Sequence, residues 1–236
     1  MGRLTLLAAA TLGVVVIAAA CLFRKHDFGG EGLIMIEGEV KGFMIDKQRL
    51  PADFPTHRSA PEFWEALGRT VATFGFLEYT LARAIFAFTG TRRIPPDEEE
   101  AAFEKWLLTL EKALTDQLGR LIDSYAKAVR ANSSARTTNF DELVNALREA
   151  AVRRNILCHA SWRAPDREGR SLPFFVDKKM RVFQTPMDVA DLKQTQKAVA
   201  ELICEVMNSV TVMGWQFPGS NGPGLPIWPP QRGEPE

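Results

Sequence analysis

Apolar side chains recur at a helical period in four long stretches, and this periodicity constrains the fold more than any other feature of the chain. In the first stretch they fall at Phe63, Leu67, Phe74, Leu77, Leu81, Ile85 and Phe88, the spacing that turns one face of a helix toward a core. The period continues through Phe103, Trp106, Leu107, Leu110, Leu114, Leu118, Leu121, Ile122 and Tyr125, which reads as one second helix reaching about Ala131. A third helix carries Leu143, Leu147, Ala150, Ala151, Ile156 and Leu157 and fades near Trp162. A fourth, Pro186 to Met213, carries Val189, Leu192, Val199, Leu202, Ile203, Val206, Met207 and Val210. Helices joined by short connections bury such stripes best against one another, so the expected class is all-α, a four-helix bundle.

The punctuation agrees. Ser59-Ala60-Pro61-Glu62 reads as a helix start, with Ser59 as cap, proline in the first turn and Glu62 completing a capping box. Gly90 ends that helix, and Ile94-Pro95-Pro96 with the acids Asp97 to Glu100 opens the next. Asn132 to Thr138 is a polar break, after which Thr138 or Asn139 caps the third helix. Between the third and fourth helices, Phe174-Phe175-Val176, Asp177-Lys178-Lys179 and Met180 to Phe183 read as a small β-hairpin. The helical domain is therefore expected over residues 59–215, preceded by a linker at 44–58 and followed by a Pro/Gly-rich tail, 216–236, expected to be disordered.

Net charge is zero, so the molecule as a whole is no electrostatic magnet for nucleic acid, and any such contact needs a local patch. Cysteine (Cys21, Cys158, Cys204) and histidine (His26, His57, His159) are too few and too scattered for a disulfide framework or a protein-built metal site. No metal or cofactor is expected. Residues 1–43 are a separate matter. Leu4 to Phe23 carries no charge and is long enough to cross a bilayer, with Arg3 before it and Arg24-Lys25 after it, which favours a cytoplasmic body on a single-pass anchor. A cleaved export signal, with Ala18-Ala19-Ala20 as its small-residue site, is the lesser alternative. A start at Met35 or Met44 would remove the segment and leave a cytoplasmic protein.

One segment carries chemistry: Arg154-Asn155-Ile156-Leu157-Cys158-His159. On a helix Asn155 and His159 share a face, about 40° apart, whereas Arg154 and His159 differ by about 140° and converge only if the arginine reaches round or the helix ends there. Histidine titrates near neutrality and can move the proton of a ribose 2′-hydroxyl. Arginine offers a charged fork to phosphate oxygens. The plain alternative is a helix end whose basic side chains favour the C-terminal dipole.

Arg-Asn-x-x-x-His closing the third helix of a small bundle resembles the HEPN ribonuclease family. The resemblance covers about Ser59 to Trp215, with Arg154 and His159 matching the catalytic pair and Asn155 the polar position between them. Trp162 fits a frequent continuation of the motif, although Ala160 stands where a glycine is common, and Glu78 matches an acidic residue in the first helix of many members. What the resemblance implies is a metal-independent endoribonuclease working as a homodimer. Its 2′-hydroxyl attack leaves a 2′,3′-cyclic phosphate, and such domains serve in toxin–antitoxin or defence systems, with an antitoxin or regulatory protein as a further partner. Some members are inactive, and a non-catalytic binding or scaffold module, membrane-tethered through residues 4–23, is the alternative. Arg148, Arg153 and Arg163, with Arg167 and Arg170, cluster around the motif as a basic rim expected to contact RNA.

Overall fold

The computed structural model describes residues 44–92, 95–177 and 179–227. The apolar run Leu4 to Phe23 and the alternative start Met35 lie outside them. The chain divides into two units, Met1–Arg49 and Leu50–Glu236. Of the first, the described part is a short stretch ending in a 3-10 turn, Lys47–Arg49, with Met44 and Ile45 exposed.

The second unit holds five α-helices among the described residues: α1 (Pro61–Gly90), α2 (Glu99–Thr115), α3 (Leu118–Ala131), α4 (Phe140–His159) and α5 (Val189–Thr211). The all-α class expected from the periodicity is the one found. α1 is the axis of the unit and packs against each of the other four, most extensively against α5 and then α3. All seven of its expected core positions, Phe63 through Phe88, are buried. It is the one helix among the described residues long and apolar enough to cross a membrane by length and composition. Here its apolar face is spent on the core, with Leu77, Leu81, Ala84 and Ile85 fully enclosed.

Three expectations about boundaries are corrected. The single second helix is two, because Asp116 and Gln117 adopt extended backbone (ψ 147° and 154°) and end one helix before the other begins. Arg120 then pairs with Asp116 at 3.1 Å across the break. Ser59 does not cap α1: the cap residue is Ala60, without a side-chain bond, and the Ser59 hydroxyl lies 3.3 Å from that of Ser171. Asn139 does occupy the cap of α4, but in left-handed backbone (φ 53°) and again without a side-chain bond. The full capping box is instead on α5, where Asp188 accepts from the Asp191 amide and Asp191 accepts from the Asp188 amide, so that helix starts at Val189 rather than Pro186.

The β structure is more than the expected hairpin. Its regular part is a two-stranded antiparallel pair, β1 (Ser161–Trp162) with β2 (Pro173–Phe174), which turns the chain leaving α4 back on itself. The anticipated hairpin is present beside it: Val176 and Val182 form an antiparallel bridge, Phe183 donates to the Phe175 carbonyl and Asp177 to that of Arg181, each at 3.0 Å, and Met180 closes the turn on the Asp177 carbonyl. Trp162 packs edge-on to Phe63, ring centroids 5.1 Å apart, and so ties the end of α4 to the start of α1.

The folded unit is longer than residues 59–215 at both ends. Trp64 donates its indole N–H to the Thr56 carbonyl at 2.8 Å. The tail expected to be disordered is packed over its described part: Phe217 is buried, and Ile227 rests against the core.

Candidate functional site

Arg154, Asn155 and His159 all sit in the last turns of α4, and α4 runs without interruption to His159 as its final residue. Burial of Ile156 and Leu157 sets the rotation of this turn and leaves the flanking Asn155, Cys158 and His159 exposed. Arg154 is turned toward α1, where its guanidinium Nη2 lies 3.4 Å from Glu78 Oε1. Both side chains are about three-quarters covered, at 25% and 27% exposure. That distance makes an ion pair without hydrogen-bond geometry, and Oε1 itself, enclosed although the side chain as a whole is not, accepts no hydrogen bond. Arg154 Nη1 also makes a long contact, 3.5 Å, to Asn155 Oδ1.

The structure thus brings Glu78, Arg154 and Asn155 together. His159 stands apart: it is exposed, and its imidazole makes no hydrogen bond or ion pair among the described residues. Cys158 beside it is exposed and free. An exposed imidazole at a helix end is accessible to a substrate, and the extended backbone of Ala160 immediately after it takes the chain away toward β1.

The arginines expected to form a basic rim are dispersed. Arg148 donates to Asp123 of α3 at 2.9 Å. Arg163 lies over the ring of Phe174, its guanidinium carbon 5.4 Å from the centroid. Arg170 pairs with both Asp166 and Glu168. Arg153 is exposed and faces a different surface from Arg154, lining a cleft of about 960 Å³ between α4 and α5 in company with Glu149, Glu201 and Glu205.

Electrostatic perturbation elsewhere is structural. In the loop after β1, Asp166 is held below the usual carboxylate range, first by the backbone N–H of Arg170 and then by that of Glu168 and the Arg170 guanidinium. Asp177 is lowered in the same way, led by the Arg181 backbone N–H. Among the described residues no group of three or more His, Cys, Asp or Glu side chains is arranged to hold a metal ion.

Sequence reasoning overlooked the acidic cleft. Its signal was present in the spacing of Glu201 and Glu205 on the outer edge of the α5 stripe, opposite Glu149 on α4. Comparison of the chain with protein-family models, with curated protein sequences and with solved structures gives no match.

Proposed function

We propose that the chain is a HEPN-like domain that cleaves RNA as a homodimer, without a metal ion. In this reading α1, the broken pair α2 and α3, α4 and α5 correspond to the four helices of the bundle. The observation that carries it is the meeting of Glu78 with Arg154 at 3.4 Å. The two stand on different helices, Arg154 in the stretch that resembles the family motif and Glu78 at the position that resembles the acid of the family's first helix. Their contact puts a guanidinium beside Asn155 on the helix end that also presents His159.

The roles follow from the chemistry. His159 accepts the 2′-hydroxyl proton and returns one to the leaving oxygen. Arg154 offsets the charge that builds on the phosphorane oxygens, Glu78 orients the guanidinium, and Asn155 supports either group. No bond joins Arg154 and His159 within one chain, so a twofold arrangement of two motif helices is what would complete the cleft. RNA approaches this α1–α4 face; Arg148, Arg153 and Arg163 are secondary contacts at most, given their present neighbours. A toxin–antitoxin or defence setting, and a tether through residues 4–23, belong to the same reading.

The test is incubation of the purified full chain with total RNA in EDTA. His159→Ala and Arg154→Ala are each expected to slow cleavage by about 10²-fold or more, with unchanged circular dichroism. Cleavage indifferent to both changes would sink the assignment. A second reading, a non-catalytic helical binding module, is favoured by one observation: Arg148, Arg154 and Arg170 each face a carboxylate, which leaves little free positive charge for RNA. It predicts no cleavage by the wild-type chain under any of these conditions.

A further inference from the structure

We propose that the cleft between α4 and α5 is a docking groove for a basic amphipathic helix of a partner protein. This goes beyond the reading above and does not depend on it, since none of Glu78, Arg154, Asn155 or His159 lines the groove.

The groove exists because small side chains stand where larger ones would close it. Ala146 and Ala150 on α4 face Ala198 on α5, and the space between them is about 960 Å³. Its length follows from the helices that wall it: from Ala146 to Leu157 along α4 is about 16 Å at the helical rise, enough for roughly three turns of a docked helix. The floor is apolar and continuous with the core through Leu157 and Val199, while Leu202 and Met187 leave apolar surface partly open to the groove. A segment of the same chain, Phe183 to Met187, closes one side.

The rim decides what the occupant is. Four carboxylates line the groove, on Glu149, Asp191, Glu201 and Glu205, against the single guanidinium of Arg153. The Asp191 carboxylate is used in capping α5. Glu149, Glu201 and Glu205 are exposed, and their carboxylates make no ion pair or hydrogen bond among the described residues. This contrasts with the acids elsewhere on α3 and in the loop after β1, which hold arginines. An apolar trough flanked by uncompensated negative charge complements a helix with one apolar face and lysines or arginines along its edges. A phosphate backbone in the same place would meet like charge.

The experiment uses the full-length chain and a fluorescein-labelled amphipathic peptide of about 14 residues, four helical turns, made of leucine and lysine. A control peptide carries glutamate in place of every lysine. Fluorescence anisotropy is expected to show saturable binding of the lysine peptide only. The dissociation constant should rise about tenfold or more in Glu201→Lys/Glu205→Lys and again when salt is raised. Ala198→Trp, at an exposed position that tolerates the larger ring, should fill the trough and abolish binding without lowering the melting temperature. Equal binding of the two peptides, or an affinity unmoved by either variant, would overturn the proposal. So would stoichiometric displacement of the peptide by spermine, which would mark a site for small polycations. Light scattering that shows a dimer broken by Ala198→Trp would assign the groove to a second copy and overturn it equally.

Discussion

Tyr125 is wholly enclosed in the core, whereas Glu78 is partly covered where α1 meets α4. Burial pushes the Tyr125 phenol up to about 12, an effect the nearby charge of Glu205 reinforces and the hydrogen bond to Ser209 (2.8 Å) partly opposes. A raised acid in the fold means that its stabilising contribution is complete below the ordinary tyrosine range near 10 and is lost as pH climbs toward 12. Absorbance titration should show one of the two tyrosines ionising only near 12 or together with alkaline unfolding. Tyr125→Phe should remove that step and lower stability by about 1 kcal/mol, because Ser209 keeps its bond to the Val206 carbonyl. Glu78 is instead compensated from across the bundle. Arg154→Ala would leave Oε1 enclosed with no cation beside it, at a cost of about 1–2 kcal/mol. A urea-unfolding cycle of Glu78→Gln and Arg154→Ala should therefore show coupling; strict additivity would mean that the pair does not hold the two helices. This contact was half legible in the sequence. Both residues stood out, Glu78 as an acid in a very apolar helix and Arg154 within its motif, but no periodicity states which faces of α1 and α4 meet.

At the scale of elements, the apolar pattern identified helices well and joints poorly. Leu114 and Leu118 keep a helical spacing in the sequence, yet Leu114 is 80% exposed while Leu118 is buried, because they belong to two helices with different partners. No proline marks the break; Asp116 and Gln117 adopt extended backbone there. The same limit hid the real cap of α5, since apolar spacing says nothing of the reciprocal bonds between Asp188 and Asp191. Asp188→Ala should cost about 0.5–2 kcal/mol in thermal or urea unfolding, whereas Ser59→Ala, which removes no cap, should cost little. α1 offers the converse case. Gly75 is exposed in mid-helix, and a Cβ built there meets nothing within 4 Å. Gly75→Ala should then stabilise the fold by about 0.5–1 kcal/mol through lost freedom of the unfolded chain. A destabilised Gly75→Ala would mean that this face of α1 is covered in solution. In the loop regions, Asp166 and Asp177 are lowered acids, so the order they confer is present above the ordinary aspartate range and fades as pH falls through their depressed values. The protection of the Arg170 and Arg181 amides, measured relative to the intrinsic exchange rate at each pH, should fall in strong acid before that of the helices.

For the molecule as a whole, the least legible part was its closing segment. Proline and glycine after Trp215 read as disorder on composition alone, but over the described residues 216–227 they permit a tight return of the chain. Gly214, Gly219 and Gly224 all take positive φ, and Trp215 bridges Leu225 in parallel, with Gln216 donating to the Leu225 carbonyl and Leu225 to that of Gly214, each at 2.8 Å. Phe217 is thereby buried, and Arg83 of α1 donates to the Pro218 carbonyl at 2.9 Å while stacking on Tyr79. The loop is therefore a clasp on the central helix, held by one ring, one guanidinium and backbone that only glycine adopts readily. Gly224 is where this is most exacting: at φ 125° an added Cβ would lie 2.6 Å from the Trp215 carbonyl carbon and the Gln216 nitrogen, both backbone atoms that cannot swing aside. Gly224→Ala should release the clasp, lowering stability by more than about 1 kcal/mol and exposing a protease site between residues 215 and 225. Pro223→Ala, next to it, should leave the digestion pattern as in wild type. If limited proteolysis cuts the wild-type chain there as readily as Gly224→Ala, the clasp does not form in solution, and the composition was the better guide to this end of the fold.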